Sequence, residues 1–139
     1  MQINKIIEAA IYCDNVDEMS EFYQQIFGFE VAMNSSPRGI FLRAGESMLI
    51  IFNRSMTSQE DQMVPHHGVT GAQHFAFEIP DGEYDDWKKT LLDKGIEIEK
   101  EMSWSEEKNN GARSLYFRDP AGNSVELVEK KIWQENITI

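Results

Sequence analysis

A single cysteine, Cys13, is present, so no intrachain disulfide can form and nothing calls for an oxidising compartment. In a strand such a thiol reads as a small buried hydrophobe. Basic residues are scarce. Thirteen Lys and Arg stand against 24 Asp and Glu, and the resulting formal charge of −11 repels phosphate backbones and anionic lipid headgroups. Nucleic acids and membranes are thus not expected as partners, although an acidic surface also serves plain solubility. No apolar run approaches the ~20 residues of a membrane span. The stretch Met1-Gln2-Ile3-Asn4-Lys5 also lacks the uncharged character of a secretory signal, so a cytoplasmic protein is expected. Large apolar side chains are not lacking: 3 Trp, 4 Tyr and 8 Phe within a chain that is 41% hydrophobic supply enough for a core, which excludes disorder. At 139 residues, one domain over 1–139 is the default.

The chain repeats itself. Residues Ile6 to Tyr12 alternate, with Ile7, Ala9 and Ile11 on one face and Glu8, Ala10 and Tyr12 on the other. Residues His74 to Ile79 do the same, with Phe75, Phe77 and Ile79 opposite His74, Ala76 and Glu78. An acidic or Gly-containing turn follows each strand, then a helical pattern: Met19, Phe22, Tyr23 and Ile26 in the first copy, and Tyr84, Trp87, Leu91 and Leu92 in the second. Gly28 and Gly95 suit left-handed helix ends leading into strands. Phe41-Leu42-Arg43 corresponds to Tyr116-Phe117-Arg118, and Met48-Leu49-Ile50 to Val125-Glu126-Leu127, the latter pair reached through Ala44-Gly45 and Asp119-Pro120-Ala121-Gly122-Asn123. The order is strand, helix, three strands, twice: module one over about 4–54, a polar linker with His66 and His67 over about 55–72, module two over about 73–130, and a tail over 131–139.

Laying one copy on the other sets Glu8 against His74 and Leu49 against Glu126. Glu126 stands between Val125 and Leu127, where an unpaired carboxylate would be costly. Two acids and one imidazole at corresponding places point to a metal site formed by Glu8, His74 and Glu126. The competing reading is three separate charges facing water on an open sheet.

The helix Phe22-Tyr23-Gln24-Gln25-Ile26-Phe27-Gly28-Phe29 and the ending Tyr116-Phe117-Arg118-Asp119-Pro120-Ala121-Gly122-Asn123-Ser124-Val125-Glu126-Leu127 resemble the vicinal oxygen chelate superfamily. Its members include glyoxalase I, extradiol dioxygenases, methylmalonyl-CoA epimerase, and fosfomycin- and bleomycin-resistance proteins. The resemblance runs from about Lys5 to Glu129. It implies an α+β fold of two tandem βαβββ modules forming a cupped, barrel-like mixed sheet with helices on the outer face. It also implies one divalent metal ion (Fe, Mn, Zn, Ni or Mg) on the concave side, held from the first and fourth strands by Glu8, His74 and Glu126. Leu49 would stand where a fourth ligand occurs in glyoxalase I, leaving positions open for water or substrate.

Such a site would chelate an oxygenated small molecule for lyase, isomerase or ring-cleaving dioxygenase chemistry, with Glu8 or Glu126 moving a proton. The alternative is a non-catalytic protein that sequesters a small molecule or antibiotic, as bleomycin-resistance proteins do. Substrate contacts are expected from Asn53, Trp104, Arg113 and Tyr116, with Trp104 as a lid. A homodimer is expected from the same resemblance.

Overall fold

The structure, a computed structural model, describes residues 1–60 and 63–135. It divides into two compact units, Met1–Gly71 and Ala72–Ile139. The first runs β1 (Glu8–Cys13), α1 (Val16–Phe27), β2 (Glu30–Ser35), β3 (Gly39–Ala44), β4 (Ser47–Asn53) and the single turn α2 (Arg54–Thr57). The second runs β5 (His74–Ile79), α3 (Tyr84–Asp93), β6 (Lys100–Ser103), the single turn α4 (Glu106–Asn109), β7 (Arg113–Arg118) and β8 (Ser124–Glu129), then a 3-10 turn over Lys130–Trp133. The sheet orders match: β1-β4-β3-β2 and β5-β8-β7-β6. In each, the first strand lies parallel to the last and the other pairs are antiparallel. The α+β class and the duplicated βαβββ module are therefore present, as two four-stranded mixed sheets rather than a closed barrel.

Local chemistry explains the helices. The Asn15 side chain accepts from the Glu18 amide at 3.1 Å, satisfying an orphan donor at the start of α1, and Asp17 and Glu18 favour the positive end of its dipole. Gly28 ends α1 in the left-handed region at φ 68°, with its amide donating to Gln24 O. At the end of α3, Gly95 at φ 76° permits two closing bonds, from the Ile96 amide to Leu91 O and from the Gly95 amide to Leu92 O. The inner stripe of α1, Met19, Tyr23 and Ile26, is buried, and α1 packs on β3 and β4, whose Ile40, Leu42, Leu49 and Ile51 are also buried. In the second unit Leu91 of α3 is buried with Leu115, Phe117, Val125 and Leu127 of β7 and β8.

Three details differ from the sequence expectations. The strand foreseen directly after Gly95 starts only at Lys100, because residues 96–99 make a single ladder-like bond, from the Glu99 amide to Tyr116 O. The polar linker begins as a helix: the Asn53 side chain caps α2 by accepting from the Ser55 amide at 3.0 Å. Asp61, Gln62 and the tail residues 136–139 lie outside the described residues. The third difference is a correction of register. Ala76 pairs with Glu126 across β5 and β8, and Ala10, at the same step of β1, pairs with Ile50. Ile50, not Leu49, is the counterpart of Glu126. Side chains alternate faces along a strand, so a slip of one residue exchanges one face for the other.

Gly28 has open space where a Cβ would stand, which leaves its left-handed backbone as the reason for glycine. Gly28→Ala is expected to cost about 1 kcal/mol, read as a lower urea midpoint at unchanged m-value; an unchanged midpoint would contradict this role.

Candidate functional site

Strand register places the chemistry in rows. On one face of the second unit, Ala76, Glu126 and Tyr116 form one row, His74, Ser124 and Arg118 the row beside it, and Glu78, Val128 and Ser114 the row on the other side. His74 and Glu126 are thus diagonal neighbours on adjacent parallel strands.

Their side chains meet. His74 Nε2 lies 3.2 Å from Glu126 Oε1, and His74 Nδ1 lies 3.0 Å from the Ser124 carbonyl oxygen. A carbonyl can only accept, so the proton on Nδ1 follows from the geometry, and Nε2 then turns its remaining site toward a carboxylate oxygen. Two such lone-pair donors need a proton or a metal ion between them. A ring fixed through one nitrogen by a backbone carbonyl, with the other nitrogen offered, is also the usual arrangement of a metal-bound histidine. Glu126 is buried and His74 half-exposed, so the pair is open to solvent from the imidazole side. The second carboxylate oxygen, Oε2, accepts from Ser114 Oγ at 2.6 Å. Tyr116 stands beside it, its hydroxyl pKa raised by burial and then by the charge of Glu126.

A turn holds this pair in register. Asp119 Oδ1 accepts from the amides of Ala121 and Asn123, while Oδ2 accepts from Asn123 Nδ2 at 2.9 Å. The Asn123 Oδ1 in turn accepts from the Gln73 amide at 3.0 Å, and the Ser124 amide donates to Gln73 O at 2.8 Å. Asp119 and Asn123 are both buried. The Asp-Pro-x-Gly-Asn segment therefore fastens the residue before His74 to the start of the strand that carries Glu126.

The first unit has the same rows with other contents. Glu8, Met48 and Arg43 replace His74, Ser124 and Arg118, and Ala10, Ile50 and Phe41 replace Ala76, Glu126 and Tyr116. Glu8 is exposed on the face that matches His74. Farther along that face Tyr12 and Phe52 pack against His67, whose Nδ1 is 2.7 Å from the Tyr12 hydroxyl. His67 is thus engaged with an aromatic cluster rather than free on the linker. Within each unit, among the described residues, no three His, Cys, Asp or Glu side chains gather closely enough to hold a metal ion. The His74–Glu126 pair is a two-donor site, and Glu8 belongs to the other unit.

Of the four expected substrate contacts, two lie with this pair. Tyr116 shares the row of Glu126, and Trp104 Nε1 donates to Ser114 Oγ at 2.8 Å. Asn53 shares the alternation of Leu49 and Ile51, away from the face of Glu8, and its side chain caps α2. Arg113 is on the other face of its sheet. It donates to the buried Glu129 at 3.2 Å, lies 3.6 Å from Asp85, and stacks 4.4 Å over the Tyr84 ring. Alternation alone separated Arg113 from Tyr116. Ser114, the hydroxyl on Glu126, has no sequence signal beyond sharing that alternation.

A family model described as Glyoxalase/Bleomycin resistance protein/Dioxygenase superfamily matches residues 5–127. A crystal structure of lactoylglutathione lyase from Agrobacterium tumefaciens is similar at 36% identity and TM-score 0.90, over 97% of this chain and 100% of that one. Catechol-2,3-dioxygenase of Bacillus subtilis (strain 168) is 25% identical over 126 residues, which are 88% of this chain but 41% of the dioxygenase, so the chain spans less than half of that relative. Metallothiol transferase FosB of Staphylococcus haemolyticus is 24% identical over 114 residues, 81% of this chain and 74% of that protein.

Two outcomes test the supports of the site. Asn123→Ala removes the buried side chain that accepts from the Gln73 amide and donates to Asp119, and is expected to cost about 2 kcal/mol in urea unfolding; a loss under about 0.5 kcal/mol would remove the turn from this role. On the far face, burial alone would raise the Glu129 carboxyl, but the hydrogen bonds and charge of Arg113 bring it below its ordinary 4.5. Its stabilising contribution is complete above that value and is lost as pH falls through the lower native one. Arg113→Ala should therefore remove the part of the stability loss below pH 4.5 that Glu129 contributes, read as a shallower acid limb in urea unfolding across that range; an acid limb identical to wild type would show that Arg113 does not set that part.

Proposed function

The chain belongs to the glyoxalase/bleomycin resistance protein/dioxygenase superfamily, and we propose that within it the protein is a divalent-metal-dependent enzyme acting on an oxygenated small molecule by lyase or isomerase chemistry. The observation that carries this reading is the 3.2 Å approach of His74 Nε2 to Glu126 Oε1 while Nδ1 is held by a carbonyl. The lyase or isomerase class is favoured over ring cleavage because the lyase from Agrobacterium is matched along its full length at 36% identity, and the dioxygenase over 41% of its length at 25%.

In this reading His74 and Glu126 hold the ion, and the superfamily resemblance implies Glu8 as its further ligand. One imidazole and two carboxylates suit Mn²⁺, Fe²⁺, Zn²⁺, Ni²⁺ or Mg²⁺. When bound, such an ion polarises a substrate oxygen and steadies the negative charge that develops as a proton leaves the neighbouring carbon. The protein residues divide the remaining work. Both oxygens of Glu126 are engaged, by His74 and Ser114, so it serves to hold. Glu8 is exposed, and the same resemblance implies that it carries the proton. Tyr116 and Trp104 supply aromatic surface beside the pair. Arg118 shares the row of His74 but is bound by Glu99 at 2.9 Å, so an apolar substrate suits this face better than a polyanion. A homodimer acting in the cytoplasm completes the reading. No helix of the described residues is long and apolar enough to cross a membrane.

Protein purified without chelator is expected to carry about one divalent ion per chain, and His74→Ala or Glu126→Ala to carry almost none, by elemental analysis. Metal-free wild type, with no difference in metal affinity in either variant, would remove the reading in favour of a metal-free binder. With an uncharged α-hydroxyketone as the trial substrate, Glu8→Gln keeps a ligand oxygen but cannot take a proton, and should lower turnover by about 100-fold or more.

A further inference from the structure

A hydrogen-bonded chain runs from the core of the second unit to the carboxylate of Glu126. Trp104 Nε1 donates to Ser114 Oγ at 2.8 Å, and Ser114 Oγ donates to Glu126 Oε2 at 2.6 Å. Its direction is fixed by the first member. An indole N–H can only donate, so the serine oxygen must accept from it, and the single serine proton goes to the charged carboxylate 2.6 Å away, with the Tyr116 hydroxyl beside both. Ser114 is fully buried, and the Trp104 ring packs against Ala112, Val128 and Ile132, so neither partner can turn away to water at small cost. Short bonds to a charged acceptor are also the strong ones.

The duplicated unit supplies an internal control. The register that pairs Glu126 with Tyr116 and places Ser114 one row away gives Ile50, Phe41 and Gly39 in the first unit. No carboxylate is present there, and no hydroxyl. At Gly39 a side chain has no room, since a Cβ would stand 2.9 Å from the Phe52 ring. The serine thus accompanies the carboxylate and is absent where the carboxylate is absent.

We propose that Trp104 and Ser114 are positioning residues for Glu126, holding one carboxylate oxygen so that the other is presented beside His74 Nε2 for a shared divalent cation. This rests on the metal reading above and gives Trp104 a task other than that of a lid. Partners behind a ligand of this kind typically carry a tenfold to hundredfold share of metal affinity.

The test follows the Trp104 indole N–H resonance by nitrogen–proton NMR, assigned by its loss in Trp104→Phe, and measures Zn²⁺ affinity calorimetrically. In metal-free protein, Glu126→Gln should shift that resonance through the intervening serine, and Ser114→Ala should move it toward an unbonded indole. Zn²⁺ should also shift it in the wild type, and both Ser114→Ala and Trp104→Phe should bind Zn²⁺ about tenfold more weakly. Two results overturn the relay while leaving the metal centre standing: wild-type affinity in both variants, or an indole resonance that ignores Glu126→Gln. Absence of Zn²⁺ binding by the wild type overturns the metal reading itself, and the proposal with it.

Discussion

In each unit the first and last strands lie side by side and parallel, and this one pairing decides which side chains share a face. Parallel neighbours cannot be joined by a tight turn; they need a crossover, which α1 and α3 provide. The crossover leaves the register of the pair to be set elsewhere. In the second unit the buried Asn123, itself held by Asp119 in the loop that leads into β8, sets it by accepting from the Gln73 amide. Once Gln73 is held, His74 must face the strand that carries Glu126, and the apolar residues Phe75 and Phe77 fall to the side of Val125 and Leu127. Core and site are two consequences of the same register.

The duplication shows what that register tolerates. Ile50 and Glu126 occupy the same place in the two sheets, and both are buried. Burying an isoleucine contributes about 1.5–3 kcal/mol, whereas a buried carboxylate costs stability unless its oxygens are bonded. The second unit therefore carries an expense that the first avoids, and it meets that expense with Ser114 and His74 where the first has Gly39 and the exposed Glu8. The fold does not demand a carboxylate at this position, since the first unit stands without one.

Alternation and repetition suffice to read most of the strands, both long helices and the correspondence of Glu8 with His74 from the sequence, but not the start of β6. They were not enough to fix register between strands. Leu49 and Ile50 are both apolar, so pattern could not say which one matches Glu126, and only the ladder places Ile50 there. The same limit misplaced Arg113. Its charge invited a role beside Tyr116, yet it is an odd number of residues away along β7 and so meets Glu129 and Tyr84 on the helix side. Asn53 was drawn to a substrate role by its position at the end of β4, where the stronger demand was a cap for α2. Trp104 is expected as a lid, because nothing in the sequence announces that its N–H finds a buried hydroxyl.

The two acids of β8 separate the structural from the chemical. Glu126 and Glu129 are both buried, but an odd spacing sends them to opposite faces. Glu129 accepts from both the amide and the side chain of Arg113, a cation that cannot lose its proton, so its charge is answered inside the unit. Glu126 has the hydroxyls of Ser114 and Tyr116 and a half-exposed imidazole instead. An imidazole answers a negative charge only when it carries a second proton, and that proton occupies the place a metal ion would take. A carboxylate buried for structure has its oxygens bonded inside the unit, as Glu129 does through Arg113 and Asp119 through two amides and Asn123. The match at Glu126, on a side open to solvent, is the observation on which the proposed cation site rests.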